Sequence, residues 1–231
     1  HPIDDSECAR NREFCRDMEE WSAICDDIWI WNYNTNFSFY DLPFPNLRCI
    51  DANVKYFLRH NAKGVFMQAN GNGLTGELCD LRNYVIGRLL WDPHADGREL
   101  RREFVELHYR EAAGPIRDYL EMLHDNAESR DVHPGHRPQP EEVGLDADVA
   151  RKALEHFERA LGLAADDEVR ARVEKASICA HKAMVATEAW RDGGEREEVI
   201  DNYVALGRRY GMTHTAEARL FDDYVEELRS A

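Results

Sequence analysis

The sequence predicts a mostly helical protein in which a short α/β region precedes an all-α region. Up to residue 95, segments with the period of a helix alternate with segments that have the two-residue period of a strand. From residue 96 onward, every periodic segment is helical. Because such alternation is typical of a parallel sheet, we predict an α/β domain over residues 1–95. A helical domain follows over residues 96–231, with a proline-rich connector at 130–145.

The α/β domain is expected to begin with a helix and a strand. Phe14, Met18 and Trp21 recur at helical spacing, and Ser6 is placed to cap that helix. Residues 28–33, IWIWNY, alternate between two faces as a strand does. The remaining predicted elements are a helix (51–60), a strand (64–69), a helix (77–90) and six further helices (99–112, 115–128, 148–163, 168–190, 195–210 and 215–228).

Two parallel strands leave both edges of a sheet unpaired. A piece of this size buries too little apolar surface to be stable by itself. We expect it to be completed either by a second copy or by strands that precede His1, which is not a methionine. The second alternative is favoured.

Composition and motifs argue against several partners and cofactors. A formal net charge of −16 disfavours nucleic acids, and no apolar run reaches the roughly 18 residues of a membrane span. His133 and His136 lack a third ligand at a suitable spacing, so no metal is predicted. Residues 71–76 match G-x-G-x-x-G, but no second strand ending in an acid follows, so no nucleotide cofactor is predicted.

The aromatic run at residues 28–45 has two interpretations. It contains two Trp, two Tyr, three Phe and three Asn, and strand alternation places Trp29, Trp31 and Tyr33 on one face. Flat rings with neighbouring polar groups suit the faces and hydroxyls of pyranosides. The alternative is a buried strand followed by a loop that fills the core. Composition alone favours the second interpretation.

Polar and aromatic side chains lie where each strand ends, which is where parallel α/β folds place their ligands. The candidate residues are Trp31, Asn32 and Tyr33 after the first strand, Gln68 and Asn70 after the second, and Glu77 beyond its loop. Together they predict a sugar subsite. Two alternatives stay open: Trp31 belongs to a barrel core, and Glu77 is a helix first-turn charge that favours the macrodipole.

Three blocks carry a resemblance to a known family: WIWNYNTNFSFYDLPFPNL, KGVFMQANGNGLTGELCDLRNYVIGRLLWDP and EFVELHYREAAGPIRDYLEMLHD. They resemble, over about residues 1–125, the C-terminal part of proteins catalogued as domain of unknown function 4838. Some members form glycoside hydrolase family 163, which are endo-β-N-acetylglucosaminidases acting on N-glycans. The resemblance implies the last two βα units of a TIM-type (β/α)8 barrel, then a helical domain, in a secreted or periplasmic protein.

The resemblance also implies roles for the candidate residues. In substrate-assisted catalysis the N-acetyl oxygen of the sugar is the nucleophile, so the enzyme supplies a general acid and groups that orient the acetamido arm. Tyr33 is then expected to bond that oxygen as the catalytic residue, with Trp31 as a subsite wall and Glu77 holding a hydroxyl.

The general acid is expected in a missing N-terminal half of the barrel, so we predict a C-terminal fragment that binds glycan or glycoprotein carbohydrate but is inactive alone. The alternative is a non-catalytic glycan-binding or scaffolding protein that keeps a barrel shell.

Overall fold

The computed structural model describes residues 1–5, 7–192 and 195–230. The predicted N-cap residue, Ser6, lies outside these residues. The chain divides into two units. Unit one comprises His1–Asn34, Asn46–Ala69 and Asp80–Glu103, and unit two comprises Thr35–Pro45, Asn70–Cys79 and Phe104–Ala231.

The helices and strands follow one another in an order close to the predicted one. They are α1 (Asn11–Ile24), β1 (Ile28–Tyr33), α2 (Ile50–Arg59), β2 (Ala62–Gln68), α3 (Cys79–Trp91), α4 (Gly97–Tyr109), α5 (Ala113–Ser129), α6 (Ala147–Leu163), α7 (Asp167–Ala186), α8 (Arg196–Arg209), β3 (His214–Ala216), β4 (Arg219–Leu220) and α9 (Phe221–Ser230). The mostly helical character predicted from the sequence is confirmed. Every helix of the described residues is too short or too polar to cross a lipid bilayer.

Unit one is built around a two-stranded parallel sheet. β1 and β2 pair in parallel, which confirms the pairing expected from the alternation of elements. The inner face of β1 carries Ile30, which packs with Met18 of α1 and with Tyr56 and Phe57 of α2. One face of the sheet is thus covered by helices, as the apolar side of each amphipathic element requires.

The turn between α2 and β2 explains why β2 begins two residues before its predicted start. Asn61 adopts a left-handed conformation with φ of 60°. Its side-chain amide donates to the carbonyl oxygens of Ser22 and Cys25, at 2.9 and 3.2 Å. Asn tolerates this conformation better than most residues, so one residue is enough to reverse the chain.

Unit two is helical, and its helices α5 to α8 pack on one another in chain order. Two of these helices, α6 and α7, begin with an aspartate N-cap, a residue type that is favoured at this position. The carboxylates of Asp146 and Asp166 accept the backbone N–H groups of Val149 and Val169, at 2.9 and 2.8 Å. These bonds satisfy amides that lack a partner in the first turn of α6 and α7.

The prediction that every segment after residue 96 is helical is wrong at residues 214–220. These residues form the antiparallel pair β3 and β4, so the last helix begins at Phe221 rather than at Thr215. Thr215 is fully buried and its carbonyl accepts the Tyr40 amide, a long-range bond that local periodicity does not reveal. The sheets of the described residues have two strands each, so the barrel implied by resemblance stays a prediction.

We predict opposite effects for two helical glycines replaced by alanine. A Cβ at Gly207 would lie 2.5 Å from the Phe221 ring, which is buried against Tyr203, whereas a Cβ at Gly87 would contact nothing. Gly87→Ala should therefore stabilise the protein by about 0.5–1 kcal/mol through helix propensity. Gly207→Ala should destabilise it by about 1–2 kcal/mol through overpacking. Urea denaturation measures both, and a stabilising Gly207→Ala would contradict the packing described.

Candidate functional site

The outer face of the β1–β2 sheet is exposed and aromatic. Trp29, Trp31 and Tyr33 alternate onto it from β1, with 75%, 64% and 46% of their surface exposed, and Phe66 joins them from β2 with 54% exposed. We call this surface, with Gly64 and Gln68 of β2, the aromatic sheet face. Large apolar side chains grouped on one exposed surface indicate a site of interaction.

Trp31 is held in place at the centre of the aromatic sheet face. It lies opposite Phe66 in the strand register, and the two rings meet edge to face with centroids 4.8 Å apart. The Trp31 indole N–H also donates to the side-chain oxygen of Gln68. A ring fixed by a ring contact and a hydrogen bond keeps one orientation without a ligand.

The Trp29 ring lies against the neighbouring strand because its partner position is a glycine. Gly64 stands opposite Trp29 in the register, and a Cβ there would come within 2.4 Å of the indole. The indole N–H donates to the Asp27 carboxylate at 3.1 Å. The missing side chain at position 64 thus makes room for the ring.

The structure brings three of the predicted site residues together. Trp31, Tyr33 and Gln68 all lie on the aromatic sheet face, and Tyr33 stands opposite Gln68 in the register. The Asn32 side chain alternates onto the opposite face, and its backbone carbonyl accepts the side-chain amide of Asn34 at 3.2 Å.

The other two predicted residues, Asn70 and Glu77, belong to unit two. The Asn70 side-chain amide donates to the Gly73 carbonyl at 2.9 Å, which closes the glycine-rich loop on itself. Glu77 is only 3% exposed, its amide donates to the Tyr40 carbonyl at 2.8 Å, and its charge raises the pKa of the buried Cys179 thiol as a contribution secondary to desolvation. Within its unit, Glu77 is an interior residue.

The aromatic run divides into two environments at the end of β1. The strand half carries the exposed rings, whereas the following loop, Thr35–Pro45, is mostly buried within unit two. Asn36 is fully buried, its side-chain oxygen accepts the amides of Ser38 and Phe39, and its NH₂ group donates to the Pro138 carbonyl. The interpretation as a loop that fills a core is therefore correct for residues 35–45, and the strand is not buried on both faces.

Sequence reasoning overlooked Phe66 and Gly64. Both follow from the two-residue alternation of β2, AKGVFMQ, once it is paired in parallel with β1. The register, however, depends on where β2 begins, and the predicted start was two residues late. A shift of this kind changes which residues stand opposite Trp29 and Trp31.

The side chains of the aromatic sheet face itself are suited to binding, and the one carboxylate described above at its edge, that of Asp27, accepts the Trp29 indole N–H. Neither β1, IWIWNY, nor β2, AKGVFMQ, contains an acidic residue. Among the residues that the structure describes, no group of three or more His, Cys, Asp or Glu side chains is arranged to hold a metal ion. The face offers ring surfaces, the Tyr33 hydroxyl and the Gln68 amide, which suit a neutral polyhydroxylated ligand.

The fold and site define a mixed protein in which a small parallel sheet with an exposed aromatic face accompanies a larger helical unit. The model of one family, described as domain of unknown function (DUF4838), matches residues 1–121, and the chain belongs to that family. No curated protein and no solved structure matches the chain.

We predict that Gly64→Ala displaces the Trp29 indole. The added methyl group occupies the position of the ring, but the ring is largely exposed and can swing outward, so the free energy of unfolding should change by less than about 1 kcal/mol. The indole N–H resonance of Trp29 should shift as its bond to Asp27 is lost. Gly71→Ala is the control, because a Cβ there meets nothing. An unmoved Trp29 resonance would contradict the close approach of the Trp29 ring to Gly64.

Proposed function

We propose that the aromatic sheet face contacts carbohydrate, as part of a glycoside hydrolase of the N-acetylhexosaminidase type related to glycoside hydrolase family 163. The observation that carries the proposal is the exposure of four aromatic rings on one face of a sheet, beside the amide of Gln68. The acidic chain, with a net charge of −16, fits a neutral sugar better than a polyanion.

Pre-positioned rings make this surface suitable for sugars. A pyranoside presents C–H groups on its faces and hydroxyls around its edge, so it pairs with a flat ring that has polar groups beside it. Trp31 is oriented by Phe66 and Gln68 before any ligand arrives, which reduces the entropy lost on binding. Tyr33, exposed one alternation further along β1, supplies a hydroxyl donor on the same face.

The proposed mechanism is substrate-assisted, with the sugar's N-acetyl oxygen attacking its own anomeric carbon. Tyr33 would donate a hydrogen bond to that oxygen, Trp31 would form a wall of the subsite, and Gln68 would bind a hydroxyl. The two strands provide no acid, so the proposal takes the general acid from another part of a (β/α)8 barrel. The isolated chain would bind glycan without cleaving it.

The remaining candidates fit this mechanism less well. Glu77 would need its carboxylate to face the ligand, which its burial in unit two opposes. Asn32 lies on the covered face of its strand, and the Asn70 amide is used by the Gly73 carbonyl. The proposal therefore rests on Trp31, Tyr33 and Gln68.

A non-catalytic glycan-binding or scaffolding protein is the second candidate function. The absence of an acid from β1 and β2 is the observation that favours it, since the aromatic sheet face would serve a binder equally well. The two functions predict the same ligand contacts and differ only in turnover by the longer parent protein.

We predict that Trp31→Ala weakens binding of a chitobiose-containing oligosaccharide by about 10-fold, because it removes the central ring of the face. Trp91→Ala is the matched control, since Trp91 ends α3 with 91% of its surface exposed and lies outside the sheet. Isothermal titration of both variants measures the effect. Equal losses for the two variants, or no binding by the unmodified chain, would refute a carbohydrate site on this face.

We predict that Tyr33→Phe in a parent that contains the full barrel lowers kcat by at least about 10-fold while leaving KM within about 3-fold. A hydrogen bond to the developing charge of the acetamido oxygen is stronger in the transition state than in the bound substrate. Release of glycan from an N-glycoprotein provides the assay. Unchanged turnover would remove Tyr33 from the mechanism, and a parent without any turnover would favour the binding protein.

A further inference from the structure

Unit two buries a lysine among aromatic rings. Lys182 on α7 is fully buried, and its ammonium nitrogen lies 3.7 Å from the centroid of Tyr224, 4.4 Å from that of Phe39 and 5.6 Å from that of Tyr203. We call these three rings the lysine cage. They come from α9, from the buried loop Thr35–Pro45 and from α8, so one side chain joins three elements to α7. Ring faces stabilise a cation through their quadrupoles.

The charge balancing Lys182 comes from the same loop. Asp41 is 1% exposed, accepts the Tyr203 hydroxyl at 2.6 Å and interacts electrostatically with Lys182. Among the described residues, neither the ammonium nitrogen nor the second Asp41 oxygen has a hydrogen-bond partner. The Arg219 guanidinium lies 4.4 Å from the centroid of Tyr224 and is a second cation near Lys182. Lys182 therefore depends on π faces and on one carboxylate for its stabilisation.

The pair is costly to bury. Desolvation lowers the pKa of Lys182 to about 8, with Asp41 opposing the shift and Arg219 adding to it. Desolvation also raises the pKa of Asp41, against the effects of Lys182 and the Tyr203 hydroxyl. Removing one member of a buried pair leaves the other uncompensated, whereas replacing both by neutral groups is close to harmless. Removing either charge alone is therefore expected to destabilise the protein more than removing both.

The loop carrying Asp41 is also tied down along its backbone. The Tyr40 amide donates to the Thr215 carbonyl, and the Tyr40 carbonyl accepts the Glu77 amide, both at 2.8 Å. The Phe37 amide donates to the His136 carbonyl at 2.8 Å. These bonds do not determine which charge the loop carries next to the lysine cage, where Asp41 accepts the Tyr203 hydroxyl. A buried cation accepts only an acidic neighbour at low cost.

We propose that Lys182 is a positioning residue that fixes the buried loop Thr35–Pro45 in one register, by packing on the Phe39 ring and by requiring a carboxylate at position 41, which meets the lysine cage at the Tyr203 hydroxyl. The loop lies inside the family match at residues 1–121, whereas Lys182, Tyr203 and Tyr224 lie beyond it. The helical region after residue 121 is accordingly needed to hold a segment of the family domain. This inference is independent of carbohydrate binding, because every group that carries it lies in unit two.

Three variants of the full chain test the proposal: Lys182→Met, Asp41→Asn and the double variant. Hydrogen exchange of the Tyr40 and Glu77 amides reports whether the loop stays docked. Each single variant should lose at least about 10-fold in protection, and the double variant should return to within about 3-fold of the unmodified chain. Lys152→Met, which removes an exposed lysine paired with Asp148, is the control and should change neither amide. Losses that simply add in the double variant would overturn the proposal.

Chemical acylation of the unmodified chain keeps the test decisive if a single variant fails to fold. The sequence contains five lysines, and Lys182 is the fully buried one. Acylation of Lys182 should require the same opening of the loop that allows the Tyr40 amide to exchange. Labelling of Cys179, which is buried on the same helix, reports separately on opening of the helical core. Reaction of Lys182 while the Tyr40 amide stays protected would show that the lysine does not hold the loop.

Discussion

Burial of the loop Thr35–Pro45 inside the helical unit is the constraint on which the rest of the structure depends. The loop follows β1 directly, yet its side chains and backbone bonds belong to unit two. The chain therefore passes from unit one to unit two at Thr35 and back to unit one at Asn46, before α2 begins at Ile50. Such interleaving makes the two halves of the sequence interdependent for folding, because neither unit is a continuous stretch of chain.

Aromatic residues serve two different purposes in β1 and in the loop that follows it. In β1 every second side chain must face away from the helices, so Trp29 and Trp31 are exposed even though they are large and apolar. In the loop no such alternation applies, and Leu42 and Phe44 turn into the core. Aromatic residues recur throughout residues 28–45, with Trp in the strand and Phe in the loop. Backbone geometry decides which rings are available to a ligand.

Local patterns were sufficient to predict much of the fold and only part of the site. β1 was predicted with its observed limits because alternation over IWIWNY is strict, and the parallel pairing followed from the order of elements. The hairpin at residues 214–220 and the burial of Glu77 depend on long-range contacts with Tyr40, which no local period encodes. The burial of Lys182 could not be predicted for the same reason, since a lysine within a helical segment is ordinarily a solvated charge.

The aromatic sheet face and the lysine cage show two ways of dealing with side chains that do not suit their surroundings. A buried ammonium is tolerated because three rings surround it and the Asp41 carboxylate attracts it electrostatically, and this arrangement holds only while the loop is docked. Exposed rings are tolerated without any cover, although Trp31 is restrained by Phe66 and Gln68. Restraint of an exposed ring does little for stability, because little apolar area is removed from water. What restraint provides is a fixed orientation, which benefits a surface that receives a ligand.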